Sequence, residues 1–203
     1  CDAGGGGNMV GVAGIDQFAQ NGPNNVQTVR VGICTRFLPP QGPADSRVGL
    51  GWANGTGGTP TTYTNLPTRG ASHGVFVAAA NTTQSGNGQD TAQCIAQLDQ
   101  ARSDSNGQFA AAGHSQGGSG CINASRLSPL VRTTCPVQLD GQFTAQSSPA
   151  DIKGSLRAPA LISCGTADNL APCAGNASTG NGNRKFAGAN VPVVKVNVVG
   201  AGH

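Results

Sequence analysis

The amino-acid sequence predicts an α/β fold in which helices cover a mostly parallel sheet. Short apolar runs alternate along the chain with stretches of helical periodicity. One run, residues 74–80, is apolar almost without interruption, which is typical of a strand covered on both faces. The helical stretches provide the crossovers that parallel neighbours require, and such crossovers are right-handed.

Strands are predicted wherever apolar residues alternate or run on between turn signals. Residues 1–28 are rich in Gly, Asn and Gln, and we expect a loop-like lead-in there. Residues 29–37 alternate up to the prolines at 39 and 40, and Arg47–Ala53 precedes a Gly-rich loop. Further strands are expected at 74–80, 109–112, 136–139, 158–163 and 191–199.

Three helices are expected between these strands. Residues 61–69 predict a short helix whose pattern is interrupted by Pro67. Residues 91–102 have one apolar face, and Asp90 is in position to cap them. The third helix follows the Gly-rich turn at 113–117 and runs to about residue 126.

Composition excludes several classes of protein. Of 203 residues, 32 are Gly, and the 12 Lys and Arg residues against nine acids leave a net charge of +3. This weak, scattered charge does not form a nucleic-acid-binding surface. No run approaches the ~20 apolar residues of a membrane span. Without repeats or a second region of different composition, we expect one domain over residues 29–203 and a monomer.

Seven cysteines, none in C-x-x-C spacing, favour disulfides over a zinc or redox site. An oxidising, extracellular location is therefore expected for a chain that looks already processed. The odd seventh cysteine leaves three alternatives: a free thiol, a partner beyond residue 203, or a lipidated Cys1 in an anchored or periplasmic protein. Four N-glycosylation sequons, at Asn54, Asn81, Asn123 and Asn176, are compatible with secretion.

The pattern G-x-S-x-G occurs twice, at residues 70–74 and 113–117. It is typical of a sharp strand-to-helix turn that presents a nucleophilic serine above a sheet. Ser72 precedes a predicted strand, which is the wrong side of the element. Ser115 follows an apolar strand and opens a segment of small residues, so Ser115 is the predicted nucleophile.

A nucleophilic serine needs a histidine base, and the chain has three histidines. His73 lies in the rejected motif, and the side chain of His114 is expected to diverge from the neighbouring hydroxyl of Ser115. His203 follows the last predicted strand, where the chain order Ser…Asp…His places the base.

The acid that orients the base is expected after an earlier strand. Asp168 meets this condition because it follows the strand at 158–163. Asp140 and Asp151 are the alternatives, and Asp140 also follows a predicted strand.

Four blocks of the sequence resemble one family of secreted enzymes. They are W-A-N-G-T-G at 52–57, A-S-H-G-V-F-V-A-A-A at 71–80, G-H-S-Q-G-G at 113–118 and G-T-A-D at 165–168. These blocks are similar to those of secreted α/β-hydrolases related to cutinases, poly(ethylene terephthalate) hydrolases and dienelactone-hydrolase-like esterases. The resemblance covers about residues 29–203 and implies an α/β-hydrolase fold with no metal or organic cofactor.

The resemblance also implies roles for individual residues. The backbone N–H groups of Thr56 and Gln116 would form the oxyanion hole. A glycan on Asn54 would crowd that site and is not expected.

Substrate-binding residues follow from the same comparison. Trp52, Tyr63 and Phe143 are expected to line an acyl cleft, with a place in the core as the alternative for Trp52 and Phe143. Polyester-active relatives carry an aromatic clamp, often Trp, where this chain offers only Phe143. Ester hydrolysis is therefore a firmer expectation than polymer hydrolysis.

The chain departs from these relatives at its last residues. Relatives continue past the catalytic histidine into a further helix, and some bridge a cysteine near the acid to one just after the histidine. Cys164 is therefore expected to have its partner beyond residue 203. The alternative is a bridge from Cys164 to Cys173, around Asp168.

Together these observations predict a secreted serine esterase acting through Ser115, His203 and Asp168, with polyesters or cutin-like polymers among its candidate substrates. An acetyl-carbohydrate esterase or an amidase on the same triad is one alternative. A non-catalytic secreted binding protein with the same fold is the other.

Overall fold

The computed structural model describes residues 16–139, 156–174 and 189–203 as one mixed, mostly parallel sheet packed with helices. The α/β class predicted from the sequence is confirmed. The eight strands are β1 (Gln27–Val31), β2 (Cys34–Leu38), β3 (Arg47–Ala53), β4 (Phe76–Ala80), β5 (Ser105–His114), β6 (Val131–Val137), β7 (Ala160–Gly165) and β8 (Val193–Val198). The helices are α1 (Asn65–Ser72), α2 (Gln89–Ala101) and α3 (Gln116–Leu127), and a 3₁₀ turn spans Asp16–Phe18.

The strand order across the sheet is β1-β2-β4-β3-β5-β6-β7-β8. Strand β2 runs antiparallel to both of its neighbours, whereas every pair from β4 to β8 is parallel. The carboxyl ends of β3 to β8 therefore meet at one edge of the sheet. In open parallel sheets this is the edge at which ligands bind.

Strand β4 explains why one apolar run is continuous. All five of its residues are buried, and alternate residues belong to two different cores. Phe76 packs in the larger core with α2 and α3, while Val77 packs with Trp52 and α1. The strand is covered on both faces, as its sequence predicts.

The single strand predicted at 29–37 is wrong, because two strands occupy that stretch. Gly32, with φ +57°, turns the chain between β1 and β2, which pair as an antiparallel hairpin. Glycine adopts this backbone conformation without the steric cost that other residues have. Strand β1 also begins at Gln27, inside the stretch expected to be a lead-in.

The first two helices begin at residues other than those expected. Helix α1 starts at Asn65 rather than 61, so Pro67 lies in its first turn, where a missing N–H breaks no helical hydrogen bond. The expected cap Asp90 lies inside α2, whose N-cap is Gly88 with φ +74°. A Cβ at Gly88 would lie within 3.0 Å of the Ala124 amide, so glycine lets α2 start against α3.

Two disulfides are formed, Cys34–Cys94 and Cys164–Cys173. The expectation that Cys164 pairs beyond residue 203 is therefore wrong, and the alternative bridge to Cys173 is the one formed. Cys121 and Cys135 are free thiols, and Cys1 lies outside the described residues. Two disulfides are consistent with an oxidising compartment.

Candidate active site

Ser115 lies at a sharp turn between β5 and α3. Its backbone has φ +55° and ψ −120°, a conformation that non-glycine residues rarely adopt. The Ser115 amide donates to the Val137 carbonyl at 2.9 Å, and the Gly118 amide donates back to the Ser115 carbonyl at 2.9 Å. The strand–turn–helix arrangement expected for this motif is confirmed. Strained backbone of this kind concentrates at functional sites.

The two glycines of the motif allow this turn to pack. A Cβ at Gly113 would lie within 3.0 Å of the Gly117 carbonyl oxygen, and one at Gly117 equally close to the Ala53 carbonyl oxygen. Backbone groups of β3, β5 and α3 are thus in direct contact beneath Ser115.

The second motif has a structural role. Ser72 ends α1, where its Oγ accepts a hydrogen bond from the Gly22 amide at 2.7 Å and donates to the Arg69 carbonyl at 2.7 Å. Its hydroxyl is buried and fully occupied. His73 of the same motif contacts the Gln20 carbonyl and the Phe18 ring.

Asp168 and His203 form a hydrogen-bonded pair. The His203 Nδ1 lies 2.8 Å from Asp168 Oδ2, and the Asp168 side chain is fully buried. The other carboxylate oxygen accepts the amides of Leu170 and Ala171, each at 2.8 Å. Burial would raise the pKa of Asp168, but the hydrogen bonds from Ala171, His203 and Leu170 outweigh it and hold this pKa below its ordinary value.

The loops that carry this pair are packed against each other. The Ala167 amide donates to the Ala201 carbonyl at 3.0 Å, and a Cβ at Gly165 would lie within 3.0 Å of that same oxygen. The disulfide Cys164–Cys173 closes the loop that contains Asp168. The rival acids Asp140 and Asp151 lie outside the described residues.

The sheet brings all three predicted triad residues to one edge. Ser115, Asp168 and His203 follow β5, β7 and β8 respectively, all of which run in the same direction. The ring of His203 lies 4.7 Å, centroid to centroid, from that of His114, the residue before Ser115. Within the parts of the chain that the structure describes, the Ser115 hydroxyl has no hydrogen-bond partner. Catalytic hydrogen bonds are often long without substrate and tighten when it binds.

The loop after β3 supplies an unpaired amide near this serine. Gly55, Gly57 and Gly58 donate their N–H groups to Tyr63, Thr83 and Gly55 respectively. The N–H of the exposed Thr56 has no acceptor among the described residues. Gln116 is the first residue of α3, where helical N–H groups have no acceptor within the helix. Both amides come from neighbouring strands, since β3 pairs with β5.

The side chain of Asn54 holds this loop against the carboxyl end of β4. Its side chain is fully buried and donates to the carbonyls of Ala80 at 2.7 Å and Thr82 at 3.0 Å. The side-chain nitrogen to which a glycan attaches is thus occupied. The same holds for buried Asn123, which donates to the Gly86 carbonyl at 2.7 Å.

The three aromatic residues expected to bind substrate have different positions. Trp52 is only 2% exposed and belongs to the core beneath the site, which was the alternative interpretation. Tyr63 is half-buried and packs on Trp52 with 5.1 Å between ring centroids. Phe143 lies outside the described residues.

Two residues at this edge make contacts that the sequence did not predict: His114, which was set aside as a base, and Gln138, which was not considered. His114 Nε2 lies 2.7 Å from the main-chain oxygen of His203 and 2.8 Å from Gln138 Oε1. Gln138 follows β6, has φ +47°, and donates its amide to the Gly202 carbonyl. No motif marks Gln138, and the sequence places it inside the strand expected at 136–139, whereas the observed strand β6 ends at Val137.

The described residues contain neither a metal site nor a membrane-spanning helix. No group of three or more His, Cys, Asp or Glu side chains there is arranged to hold a metal ion. None of the helices described is long and apolar enough to cross a membrane. In comparisons with known proteins, the chain matches no protein-family model and no curated protein.

Proposed function

We propose that this chain is a secreted serine esterase that hydrolyses carboxylic esters through an acyl-enzyme. One observation carries the proposal: a serine on a strained strand-to-helix turn lies at the same sheet edge as a histidine that is hydrogen-bonded to a buried aspartate. A nucleophile, a base and an orienting acid in this relation are the elements of covalent acyl transfer.

In the proposed reaction, Ser115 Oγ attacks the ester carbonyl carbon while His203 Nε2 accepts the hydroxyl proton. His203 then gives this proton to the leaving alcohol as the carbon–oxygen bond breaks. Water then attacks the acyl carbon while His203 accepts its proton, and His203 returns this proton to Ser115 Oγ as the acyl–Oγ bond breaks and the carboxylic acid leaves. Asp168 accepts a hydrogen bond from the Nδ1–H group of His203, which fixes the tautomer that leaves Nε2 free to act as the base.

The oxyanion of the tetrahedral intermediate is assigned to the amides of Thr56 and Gln116. Neither N–H is occupied by an acceptor from its own loop or helix. Fixed donors aimed at a developing negative charge contribute about 3 kcal/mol each in comparable hydrolases.

The chain order and the sheet support the finer assignment to the α/β-hydrolase fold. Ser115, Asp168 and His203 occur in the order Ser…Asp…His, each after a strand of a mostly parallel sheet. The resemblance of four sequence blocks to cutinases and poly(ethylene terephthalate) hydrolases points to esters, with polyesters and cutin-like polymers as substrates to test. The two disulfides support secretion.

A fluorophosphonate probe tests the nucleophile directly. We expect one adduct per folded chain by intact mass, mapped to Ser115, and none in Ser115→Ala. Ser72→Ala is the matched control from the other motif and should still be labelled. Asp168→Asn should slow labelling by orders of magnitude, about 10⁴-fold in kcat for the corresponding change in serine proteases. A folded wild-type chain without an adduct, or with one elsewhere, would contradict the proposal.

Substrate profiling then identifies the reaction class. A series of nitrophenyl esters of increasing acyl length, an acetylated sugar, an anilide and a polyester film should all be offered to the wild type. Turnover of the nitrophenyl esters is expected. Turnover of the anilide or the acetylated sugar alone would identify an amidase or an acetyl-carbohydrate esterase, and no turnover at all would favour a binding protein.

A further inference from the structure

A chain of hydrogen bonds runs through His114 beside the proposed triad. His114 Nδ1 lies 2.9 Å from the Tyr63 hydroxyl, which also accepts the Gly55 amide at 3.1 Å. On its other side, Nε2 contacts the main-chain oxygen of His203 and Gln138 Oε1. This series of hydrogen bonds therefore begins at Gly55, one residue before Thr56, and ends at the main-chain oxygen of His203, whose side chain is the proposed base.

The direction of every bond in this chain follows from the chemistry of its members. A main-chain oxygen only accepts, so His114 Nε2 carries a proton. In neutral imidazole the other nitrogen then accepts, so the Tyr63 hydroxyl donates to Nδ1 and its oxygen accepts from Gly55. Gln138 fits the same scheme, because its amide nitrogen donates to Gly202 and leaves its oxygen facing His114.

The surroundings of His114 favour this neutral form. Burial and the repulsion of the His203 imidazole lower the pKa of His114, and together they outweigh the hydrogen bonds to His203 and Gln138 and the attraction of Asp168, which raise it. Among the described residues, the ionisable groups near the ring are Tyr63, His203 and Asp168. A proton on Nδ1 would reverse the hydrogen bond to Tyr63, whose hydroxyl would then have to accept from both Nδ1 and the Gly55 amide, so protonation removes the donor order described above.

Close packing at Gly55 gives independent support. A Cβ at Gly55 would lie 2.7 Å from the Tyr63 hydroxyl oxygen and 3.0 Å from His114 Nδ1. Only glycine lets the loop before Thr56 approach this pair so closely. The rings of Tyr63 and His114 are also in contact, with 5.8 Å between centroids.

We propose that His114 is a positioning residue, which in its neutral, Nε2-protonated form holds the Thr56 amide and the His203 imidazole at a fixed separation. The inference rests on the proposed function, since these two groups act on the same substrate carbonyl. The oxyanion donor and the base come from different loops, and no described hydrogen bond other than this chain links them. An error of about 1 Å in such a separation can cost about 10²-fold in rate.

Two variants break this series of hydrogen bonds at different points. Tyr63→Phe removes only the hydroxyl, whereas His114→Asn keeps an acceptor near the Nδ1 position and removes the Nε2 donor. We expect each to lower kcat on a soluble nitrophenyl ester by about tenfold while KM stays within about twofold. The double variant Tyr63→Phe/His114→Asn should be no slower than the slower single variant, because both changes interrupt the same series of hydrogen bonds.

Matched variants separate positioning from general damage. His73→Asn replaces the equivalent histidine of the structural motif and should leave kcat unchanged. His114→Gln extends an amide donor toward the Nε2 position and should recover part of the kcat that His114→Asn loses. Thermal unfolding of each variant checks that the chain remains folded.

Nitrogen NMR of the imidazole provides a readout that does not depend on turnover. We expect His114 to be protonated at Nε2 and not at Nδ1 in the wild type, and to lose this preference in Tyr63→Phe. A proton on Nδ1 in the wild type would overturn the inference. If the wild type is active, unchanged kcat in both Tyr63→Phe and His114→Asn would overturn it as well. A wild type inert to both fluorophosphonate and esters would instead overturn the proposed function, and this inference with it.

Discussion

At the scale of single residues, the strained backbone of Ser115 is maintained by its neighbours. The glycines at 113 and 117 let carbonyl groups approach so closely that no side chain fits between them. The turn is further tied to β6 by the hydrogen bond from Ser115 to Val137. A backbone conformation as unfavourable as that of Ser115 persists only where surrounding contacts hold it in place.

Gly117→Ala should therefore be strongly destabilising. The new Cβ would meet the Ala53 carbonyl oxygen, and neither backbone can move without separating β3 from α3. We expect a loss of at least about 3 kcal/mol in the free energy of unfolding, measured by urea titration. Gly70→Ala is the control: its Cβ would lie 3.5 Å from Val77, and replacing a helical glycine should stabilise by about 0.5 kcal/mol. Equal effects of the two changes would contradict this account.

At the scale of elements, the two disulfides differ in what they constrain. Cys34–Cys94 joins β2 to α2 across 60 residues of sequence and lies in the larger core. Cys164–Cys173 spans nine residues and encloses Asp168. The first is expected to contribute to global stability, and the second to the position of the acid as well.

Replacing each pair by serine separates these contributions. Loss of Cys34–Cys94 should lower the free energy of unfolding by about 4 kcal/mol and that of Cys164–Cys173 by about 2 to 3 kcal/mol, because the longer loop gains more entropy when opened. We expect kcat on a nitrophenyl ester to fall only in the Cys164→Ser/Cys173→Ser variant. A larger kcat loss in the other variant would argue against a positioning role for the short loop.

At the scale of the whole molecule, a buried carboxylate joins the segments that lead into β3 and β5. Asp104 is fully buried and accepts two hydrogen bonds from Arg102 at 2.7 Å each, and one from the Gly42 amide at 2.8 Å. Arg47 lies 3.3 Å from the same carboxylate. Burial would raise the pKa of Asp104, but the Arg102 and Gly42 hydrogen bonds outweigh it and lower this pKa.

The stability of the chain should therefore decline in acid. Asp104 and Asp168 bind protons less readily when folded than when unfolded, so their contribution is complete above the ordinary pKa of 3.8 and disappears as pH falls through the lower folded pKa values. Asp104→Asn should lower the free energy of unfolding at pH 7 by about 2 kcal/mol and flatten its decline below pH 4. Asp45→Asn, at an exposed site, is the control; an unchanged acid decline in Asp104→Asn would contradict the assignment.

Much of this molecule could be predicted because its signals are local. The continuous run in β4, the strand before Ser115 and the chain order of Asp168 and His203 are all visible in sequence. The hairpin at Gly32 was missed because an alternating pattern continues through a two-residue turn. The roles of Gln138 and Tyr63 depend on contacts between residues distant in sequence, namely those with Gly202, His114 and Gly55, and no local pattern encodes such contacts.

The buried amide of Asn54 has a consequence for how the protein is made. In a eukaryotic secretory pathway, sugar is transferred to Asn-x-Thr sites on chains that have not yet folded, when Asn54 is as accessible as any surface residue. A glycan attached there would occupy the nitrogen that must reach the Ala80 and Thr82 carbonyls, and that chain could not close the loop bearing Thr56. In a yeast or mammalian host, molecules glycosylated at Asn54 should be retained, and the molecules that fold and leave the cell should be unmodified at Asn54. A bacterial periplasm oxidises cysteines without this modification, so no molecules should be lost there through a glycan on Asn54.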